Sequence, residues 1–321
     1  MNHIGGYFEL ELPAGGTPLH ADAVPLTTAR AGIAAILQHL RPERVHVPFY
    51  ICDAVLQPLR DARVEAVFYG LDAKLRPERL PPPKANELVL VVNYFGMQTD
   101  LLTRQAERHR SRLIADHTQA FFAPPVRDAW TIYSARKFFG VPDGGYLYAP
   151  EAIEVDVSRR ARPSIAHLVS RLAGRQLAGY RQVRAHEQRF DARIRNMSTV
   201  SERILSGIDY DAARRSRRAN YAELHRIFGH VNELDAGLPS GAVPLAYPLL
   251  VSKPIDRDVI ARERLYVPTL WPEVATRKGG GFAFERKLAA RLLPLPIDHR
   301  YDVSDMRDVA ARLRRTIGAH L

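Results

Sequence analysis

Lys137 is the residue with the clearest capacity for chemistry in this chain of 321 residues. A lysine amine attacks a carbonyl carbon only in its neutral form, and the adjacent positive charge of Arg136 favours that form. Gly144 and Gly145 follow closely and permit a tight backbone around the lysine. The pattern predicts a loop on which a lysine can form a Schiff base.

A carboxylate, a hydroxyl and a helix start accompany this lysine in the order that a pyridoxal phosphate site requires. Asp116 can pair with a protonated pyridine nitrogen and so keep the ring an electron sink. Ser134 offers a hydroxyl, and the turn Thr28-Ala29-Arg30 opens a predicted helix whose N–H groups favour phosphate. We interpret the constellation as a site for pyridoxal 5'-phosphate.

Alternating strands and helices must position these side chains. Apolar residues three and four apart predict a helix over residues 28–40. Short β-rich runs predict strands at residues 45–49, 64–69, 88–92, 112–115, 131–134 and 146–149. This alternation indicates an α/β fold with a mostly parallel sheet flanked by helices. In such sheets functional residues collect at the carboxyl ends of strands, where Asp116 falls.

The length suits two domains. We predict a large cofactor-binding domain over residues 1–155, a basic helical region over 156–230 that links the domains, and a smaller α+β domain over 231–321. Residues 156–230 contain 16 arginines, no lysine and 7 acidic residues, a net charge of +9 against +11 for the whole chain. Such a surplus either attracts polyanions or belongs to solvated helical faces, and charge alone does not choose between these roles.

Four stretches of sequence occur in an order typical of one enzyme family. They are NYFG at 93–96, IADHTQA at 114–120, YSARKFFGVPDGGYL at 133–147 and LPLP at 293–296. In these stretches the chain resembles the DegT/StrS family of pyridoxal-phosphate aminotransferases, which act mostly on nucleotide-linked keto sugars. The resemblance implies a fold type I PLP-transferase with a smaller α+β C-terminal domain, assembled as a homodimer.

The resemblance also implies roles for individual residues. Lys137 binds the cofactor covalently, Asp116 pairs with the ring nitrogen, and Gln119 lies near the phenolic oxygen of the ring. The turn Thr28-Ala29-Arg30 takes the place of the phosphate-binding turn, where the arginine either strengthens phosphate binding or faces the substrate. Asn196 resembles an asparagine that reaches the phosphate from the neighbouring subunit.

Two positions depart from the family pattern. The family stacks an aromatic side chain on the cofactor ring four residues after a strand-terminal proline, and after Pro48 this position is Cys52. Tyr50 is the nearer aromatic and our candidate to cover the ring, with core packing as the alternative. The family's phosphate-binding serine lies five residues before the lysine, where this chain has Ile132, whereas Ser134 has the spacing of other fold type I enzymes.

The leading hypothesis is an aminotransferase that moves an amino group from an amino acid donor, glutamate being the first candidate, to a nucleotide-linked keto sugar. A lyase or racemase reaction with the same cofactor remains open, as does a non-catalytic binder that uses the Arg-rich region. Trp271 and Tyr301 can line a pocket in the small C-terminal domain, although packing in the core or at the surface is the commoner role for such residues.

Composition excludes several other classes. Cys52 is the single cysteine, so neither an internal disulfide nor a cysteine-based metal cluster can form, and the histidines lack metal-binding spacing. No nucleic-acid motif occurs, and the longest apolar runs are far shorter than a membrane span. The first twelve residues do not resemble a secretory signal. We therefore expect a cytoplasmic enzyme that binds no metal, nucleic acid or membrane.

Overall fold

The computed structural model describes residues 10–13, 15–80 and 82–318. Most of the first twelve residues, whose sequence lacks the features of a secretory signal, lie outside this part. The first half contains β1 (Val24–Leu26), α1 (Ala29–Leu40), β2 (Arg44–Pro48), α2 (Asp53–Asp61), β3 (Glu65–Tyr69), β4 (Glu87–Val92), α3 (Thr99–His109), β5 (Leu113–His117), β6 (Trp130–Ser134) and β7 (Gly145–Tyr148). The second half contains α4 (Ala166–Leu172), α5 (Gln176–Glu187), α6 (Thr199–Ser206), α7 (Tyr210–Phe228), β8 (Tyr247–Leu250), α8 (Arg257–Arg262), α9 (Ala283–Arg291), β9 (Leu292–Leu295) and α10 (Val303–Ile317).

Within the described residues, β1 to β7 form one sheet in the order β1-β7-β6-β5-β4-β2-β3. The strands from β6 to β3 in this order are all parallel neighbours, and β7 runs antiparallel to both β6 and β1. The carboxyl ends of β5 and β6 therefore meet at the same edge of the sheet. The predicted α/β class with a mostly parallel sheet is confirmed.

The parallel strands at the centre of the sheet are covered on both faces. Every residue of β4 and β5 is buried, and their side chains are mainly branched and apolar, as parallel strands require. Helix α1 covers one face through Ile33, Ile36 and Leu37, which are almost fully buried. The helix begins where Thr28 accepts a hydrogen bond from the Ala31 N–H through its hydroxyl.

A second buried cluster lies in the C-terminal part. Strands β8 and β9 pair antiparallel, with Pro248 opposite Pro294. Leu249 and Leu293 belong to one buried cluster with residues of α7 and α10. Tyr221, Leu224 and Leu313 are completely buried in this cluster. This arrangement is the small α+β unit that the resemblance implies, while the boundaries after residues 155 and 230 stay predictions.

The basic region between these two units is helical, and part of its apolar surface faces outward. Leu172 of α4 is 90% exposed and Leu177 of α5 is 69% exposed, although their spacing resembles that of a core-facing stripe. Among the described helices, none is both long and apolar enough to cross a membrane.

Candidate active site

A cavity of about 260 Å³ opens at the carboxyl edge of the main sheet, between the end of β5, the end of β6 and the beginning of α1. It contains six of the nine predicted site residues: Thr28, Ala29, Arg30, Asp116, Ser134 and Lys137. Gln119, Tyr50 and Asn196 do not line it. Three segments that are separate in sequence thus bring an amine, a carboxylate, a hydroxyl and a helix start to one place.

Lys137 ends the short 3-10 turn Ala135–Lys137 that follows β6. Its Nζ donates a hydrogen bond to the Thr118 hydroxyl at 2.9 Å. Part of the Lys137 side chain is exposed to solvent through the cavity, although many protein atoms surround its amine. Loss of hydration there lowers the pKa of Lys137, and the charge of Asp116 opposes part of this shift. A larger fraction of the amine is consequently neutral and nucleophilic at a given pH.

Asp116 is the fourth residue of β5, and only 2% of its surface is exposed. Burial raises the pKa of its carboxyl, while Lys137 and the hydrogen bonds from Thr118 oppose the rise. The Thr118 N–H donates to Asp116 Oδ1 at 2.8 Å. Among the described residues, no cation approaches this carboxylate within ion-pair distance. A buried carboxylate of this kind lacks a positively charged partner.

The start of α1 forms one wall of the cavity, and the glycine pair after Lys137 lies against it. The Gly144 N–H donates to the Thr27 carbonyl at 2.7 Å. A Cβ atom at Gly145 would lie only 2.7 Å from the Ala29 nitrogen, so a larger residue would displace the helix start. The two glycines therefore allow β7 to approach the turn Thr28-Ala29-Arg30 closely. The N–H groups of this turn are the ones that we predict to bind phosphate.

Two guanidinium groups stand beside this helix start. Arg30 donates to the Gln57 side chain at 3.0 Å and to the Phe190 carbonyl at 2.9 Å. Arg136 pairs with Glu187 at 3.0 Å, and its guanidinium lies 4.2 Å from the centre of the Phe190 ring. Burial lowers the pKa of both arginines, and the charge of Arg30 adds to the shift at Arg136. Two such cations facing one cavity favour an anionic occupant.

The aromatic candidate from the sequence lies elsewhere. Tyr50 is fully buried and does not line the cavity. Its ring meets the Trp271 ring edge-on at 4.6 Å, and its hydroxyl has no hydrogen-bond partner among the described residues. The cavity wall itself contains Cys52 and Trp271. Burial raises the pKa of the Cys52 thiol, which favours its neutral form. The core packing of Tyr50 that the sequence left open is the arrangement observed.

Gln119 and Asn196 occupy other surroundings. The Gln119 side chain accepts a hydrogen bond from the Phe95 N–H at 2.8 Å and so supports a turn in which Phe95 has a φ of 56°. Asn196 pairs through its backbone with Arg159 and Ala161, and its buried Oδ1 has no partner within the described part of the chain. The proposed reach of Asn196 into a neighbouring subunit remains a prediction.

Sequence reasoning did not assign Thr118 or Glu187, although both line the cavity. Thr118 lies within the stretch that contains Asp116, and its position two residues beyond a strand-end carboxylate is a signal that could have identified it. Glu187 ends α5, fifty residues beyond Lys137, and nothing in the local pattern indicates that it pairs with Arg136.

The chain matches known proteins in fold but not in sequence. No protein-family model and no curated protein sequence matches the chain. Solved structures match over almost its whole length. A DegT/DnrJ/EryC1/StrS aminotransferase from Brucella abortus has a TM-score of 0.64 at 17% identity and covers 93% of this chain and 86% of its own.

Two further structures give the same match. A protein assigned as a sugar aminotransferase from Streptococcus pneumoniae, in its PMP form, has a TM-score of 0.64 at 14% identity and covers 93% and 88% of the two chains. DesI, in the presence of its TDP-sugar product, has a TM-score of 0.55 at 18% identity and covers 92% and 81%. The chain therefore has the fold of the DegT/StrS aminotransferases, which is the fold type I architecture.

Proposed function

We propose that this protein is a pyridoxal-phosphate-dependent aminotransferase that transfers an amino group from an amino acid to a keto sugar. One observation carries the proposal: the Lys137 amine and the buried Asp116 carboxylate line the same cavity, at the start of α1. The fold supports the same conclusion, because the solved structures that share it include sugar aminotransferases.

The residues in the cavity fit this cofactor. Asp116 is buried, and the part of the chain that the structure describes places no cation at ion-pair distance from it. A protonated pyridine nitrogen is the partner that such a carboxylate lacks. Gly145 leaves room beside the first N–H groups of α1, and Arg30 and Arg136 add positive charge there. Together with Ser134 these groups form a set of donors suited to a phosphate. Lys137 supplies the primary amine for covalent attachment.

Asp116, Lys137 and Thr118 have different roles in the proposed amino transfer. Bound pyridoxal phosphate supplies an electron-accepting ring that acidifies the α-carbon proton of an attached amino acid. Asp116 holds a proton on the ring nitrogen by its negative charge. Lys137, once its amine is free, accepts the proton from the α-carbon of the donor, and Thr118 orients Nζ through their hydrogen bond. The lowered pKa of Lys137 increases the fraction of its amine that is unprotonated and able to act as a base.

We extend the proposal to the substrates and the assembly. The keto sugar is nucleotide-linked and the donor is glutamate. DesI, which has this fold, was solved with a TDP-sugar product, which supports the first statement. The arginine surplus over residues 156–230 provides positive charge for a diphosphate. We further propose a homodimer located in the cytoplasm, consistent with the single cysteine.

The test begins with the cofactor alone. We expect the purified protein to take up pyridoxal phosphate, to develop the visible absorption of the covalently attached cofactor, and to retain the label on the Lys137 peptide after borohydride reduction. Lys137→Ala abolishes the absorption and the label, whereas Lys253→Ala, a change at an exposed lysine, retains both. A wild-type protein that takes up no cofactor contradicts the proposal.

The second stage tests the reaction. Glutamate added to the loaded protein should bleach the visible band and release 2-oxoglutarate in a one-to-one ratio, and a nucleotide-linked keto sugar should restore the band. Release of ammonia, or racemised glutamate without 2-oxoglutarate, would instead identify a lyase or a racemase.

A further inference from the structure

Trp271 is the one aromatic side chain among the described residues that line the cavity. The family pattern places a ring-stacking aromatic at the position of Cys52 in this chain. The small thiol of Cys52 cannot cover a six-membered ring. Trp271 reaches the same cavity from the C-terminal part of the chain, more than two hundred residues away in sequence. A flat apolar surface is therefore present, supplied by a different segment.

The segment that carries Trp271 is fastened to the segment that carries Cys52. The Asp53 N–H at the start of α2 donates to Glu273 Oε1 at 2.9 Å. Arg277 donates to the Ile51 carbonyl at 2.8 Å and pairs with Asp53 at 2.6 Å. It also donates to the Phe49 carbonyl. These contacts fix the loop of Trp271 against the connection between β2 and α2.

The indole itself is held from behind and by its own backbone. The rings of Tyr50 and Tyr94 lie 4.6 Å and 6.1 Å from it, at steep angles, and both tyrosines are buried. Trp271 has a φ of 57° and a ψ of 63°, a left-handed conformation that is unfavourable for a side chain of this size. Such conformations persist where surrounding contacts impose them, and they concentrate at functional sites.

We propose that Trp271 packs against the pyridine ring of the cofactor and replaces the stacking aromatic that is missing at Cys52. Aromatic surfaces prefer offset or edge contact with one another, and the remaining apolar lining of the cavity is aliphatic. By covering the ring, Trp271 also keeps water away from Asp116 and Lys137. The inference rests on the proposed function, since it presupposes that the cavity binds pyridoxal phosphate.

The first test compares affinities for pyridoxal phosphate, measured from the visible absorption in the absence of any substrate. Trp271→Ala should weaken the apparent affinity about tenfold, and Trp271→Phe should stay within about threefold of the wild type. Tyr266→Ala, which removes a more exposed aromatic of the same region outside this cavity, should have no effect. Circular dichroism establishes that each variant is folded.

A second measurement remains decisive if Trp271→Ala does not fold. The chain has two tryptophans, and Trp130 lies at the opposite end of β6 from the lysine loop. In Trp130→Phe the emission comes from Trp271 alone, and pyridoxal phosphate should quench almost all of it. In Trp271→Phe the emission of Trp130 should be quenched much less.

The outcomes separate this inference from the proposed function. Unchanged cofactor affinity in Trp271→Ala, or an increase only in the KM for the keto sugar, overturns the stacking role and assigns Trp271 to the substrate or to packing. Weak quenching of Trp271 in Trp130→Phe overturns it as well. A wild-type protein that never develops the visible band refutes the proposed function itself, whatever the variants do.

Discussion

Replacing Asp116 by asparagine should make the cofactor-free protein more stable while it weakens cofactor binding. The carboxyl is almost completely buried, and burial raises its pKa above the ordinary value. The folded chain therefore holds this proton more tightly than the unfolded chain does. Ionised Asp116 consequently costs stability above the unfolded-state pKa of 3.8, and it costs nothing well below that value.

The structure sets the size of the effect. Replacing buried ion pairs by uncharged residues of similar volume is neutral or stabilises proteins by about 1–4 kcal/mol. We expect the low end, about 1 kcal/mol, because Lys137 remains and the water in the cavity screens its charge. Asparagine keeps the oxygen that accepts the Thr118 N–H, so no backbone donor is left unsatisfied. Urea unfolding at about pH 7.5 and about pH 4 measures the gain.

The pH dependence provides the refutation. The gain of Asp116→Asn should be present at about pH 7.5 and should be smaller at about pH 4, because the cost of the ionised carboxylate declines as the pH falls towards the unfolded-state pKa of 3.8. A variant that is less stable than the wild type at pH 7.5, or a gain that is equal at both pH values, contradicts the reasoning.

Asp143 offers a matched control for this substitution. Its carboxylate is completely buried too, but it accepts hydrogen bonds from the Ser198 N–H at 3.0 Å, the Ser198 hydroxyl at 2.6 Å and the Ser201 hydroxyl. An asparagine amide cannot accept all of these bonds. We therefore expect Asp143→Asn to lower the free energy of unfolding by about 1–3 kcal/mol, opposite in sign to Asp116→Asn.

Three further substitutions test other parts of the cavity. Thr118→Val removes the acceptor of the Lys137 amine and should lower the kcat of amino transfer about tenfold, whereas Thr118→Ser should stay within about twofold. Gly145→Ala places a carbon 2.7 Å from the first nitrogen of α1 and should reduce the free energy of unfolding in urea by about 1–3 kcal/mol, while Gly140→Ala, with its nearest neighbour at 3.9 Å, should change it by less than about 0.5 kcal/mol. Arg136→Gln should weaken binding of pyridoxal phosphate about tenfold but leave binding of pyridoxal within about twofold, both by absorption titration. Equal losses for the two aldehydes would show that Arg136 does not face the phosphate.

The central sheet could be predicted from sequence because burial on both faces leaves a local signature. The run at residues 88–92 is apolar throughout, and it falls inside β4. The helix predicted over residues 28–40 matches α1 to within one residue, since its polar cap and its apolar spacing are both written locally. Asp116 was placed at a strand end by the same local pattern.

Elements without a local signature were missed. Strand β9 contains Pro294, which cannot donate to a ladder and argues against a strand, yet it pairs with a strand that has Pro248 at the facing position. Strand β1 has only three residues, too few for any periodicity to appear. Both strands form because tertiary partners, β8 and β7, accept them.

The site shows the same division. The spacing of Asp116, Ser134 and Lys137 is local to two neighbouring strands, so their convergence could be inferred from the order of the strands. Trp271 and Glu187 arrive from remote segments, and their positions depend on ion pairs and hydrogen bonds that no short pattern encodes. Tyr50 was the nearest aromatic in sequence, but the backbone turns it into the core instead.

The charged residues that line the cavity favour a ligand that carries both a positive and a negative group. Among the described residues, the buried Asp116 carboxylate has no cation at ion-pair distance. Arg30 and Arg136 line the same cavity, where Glu187 is the only other acid among the described lining residues. Each arrangement is unfavourable by itself, because buried charges cost free energy unless they are compensated. A molecule with a protonated ring nitrogen and a phosphate compensates both the carboxylate and the guanidinium groups. Pyridoxal phosphate, the cofactor that we propose, has this distribution of charge, and its binding would compensate the buried charged groups.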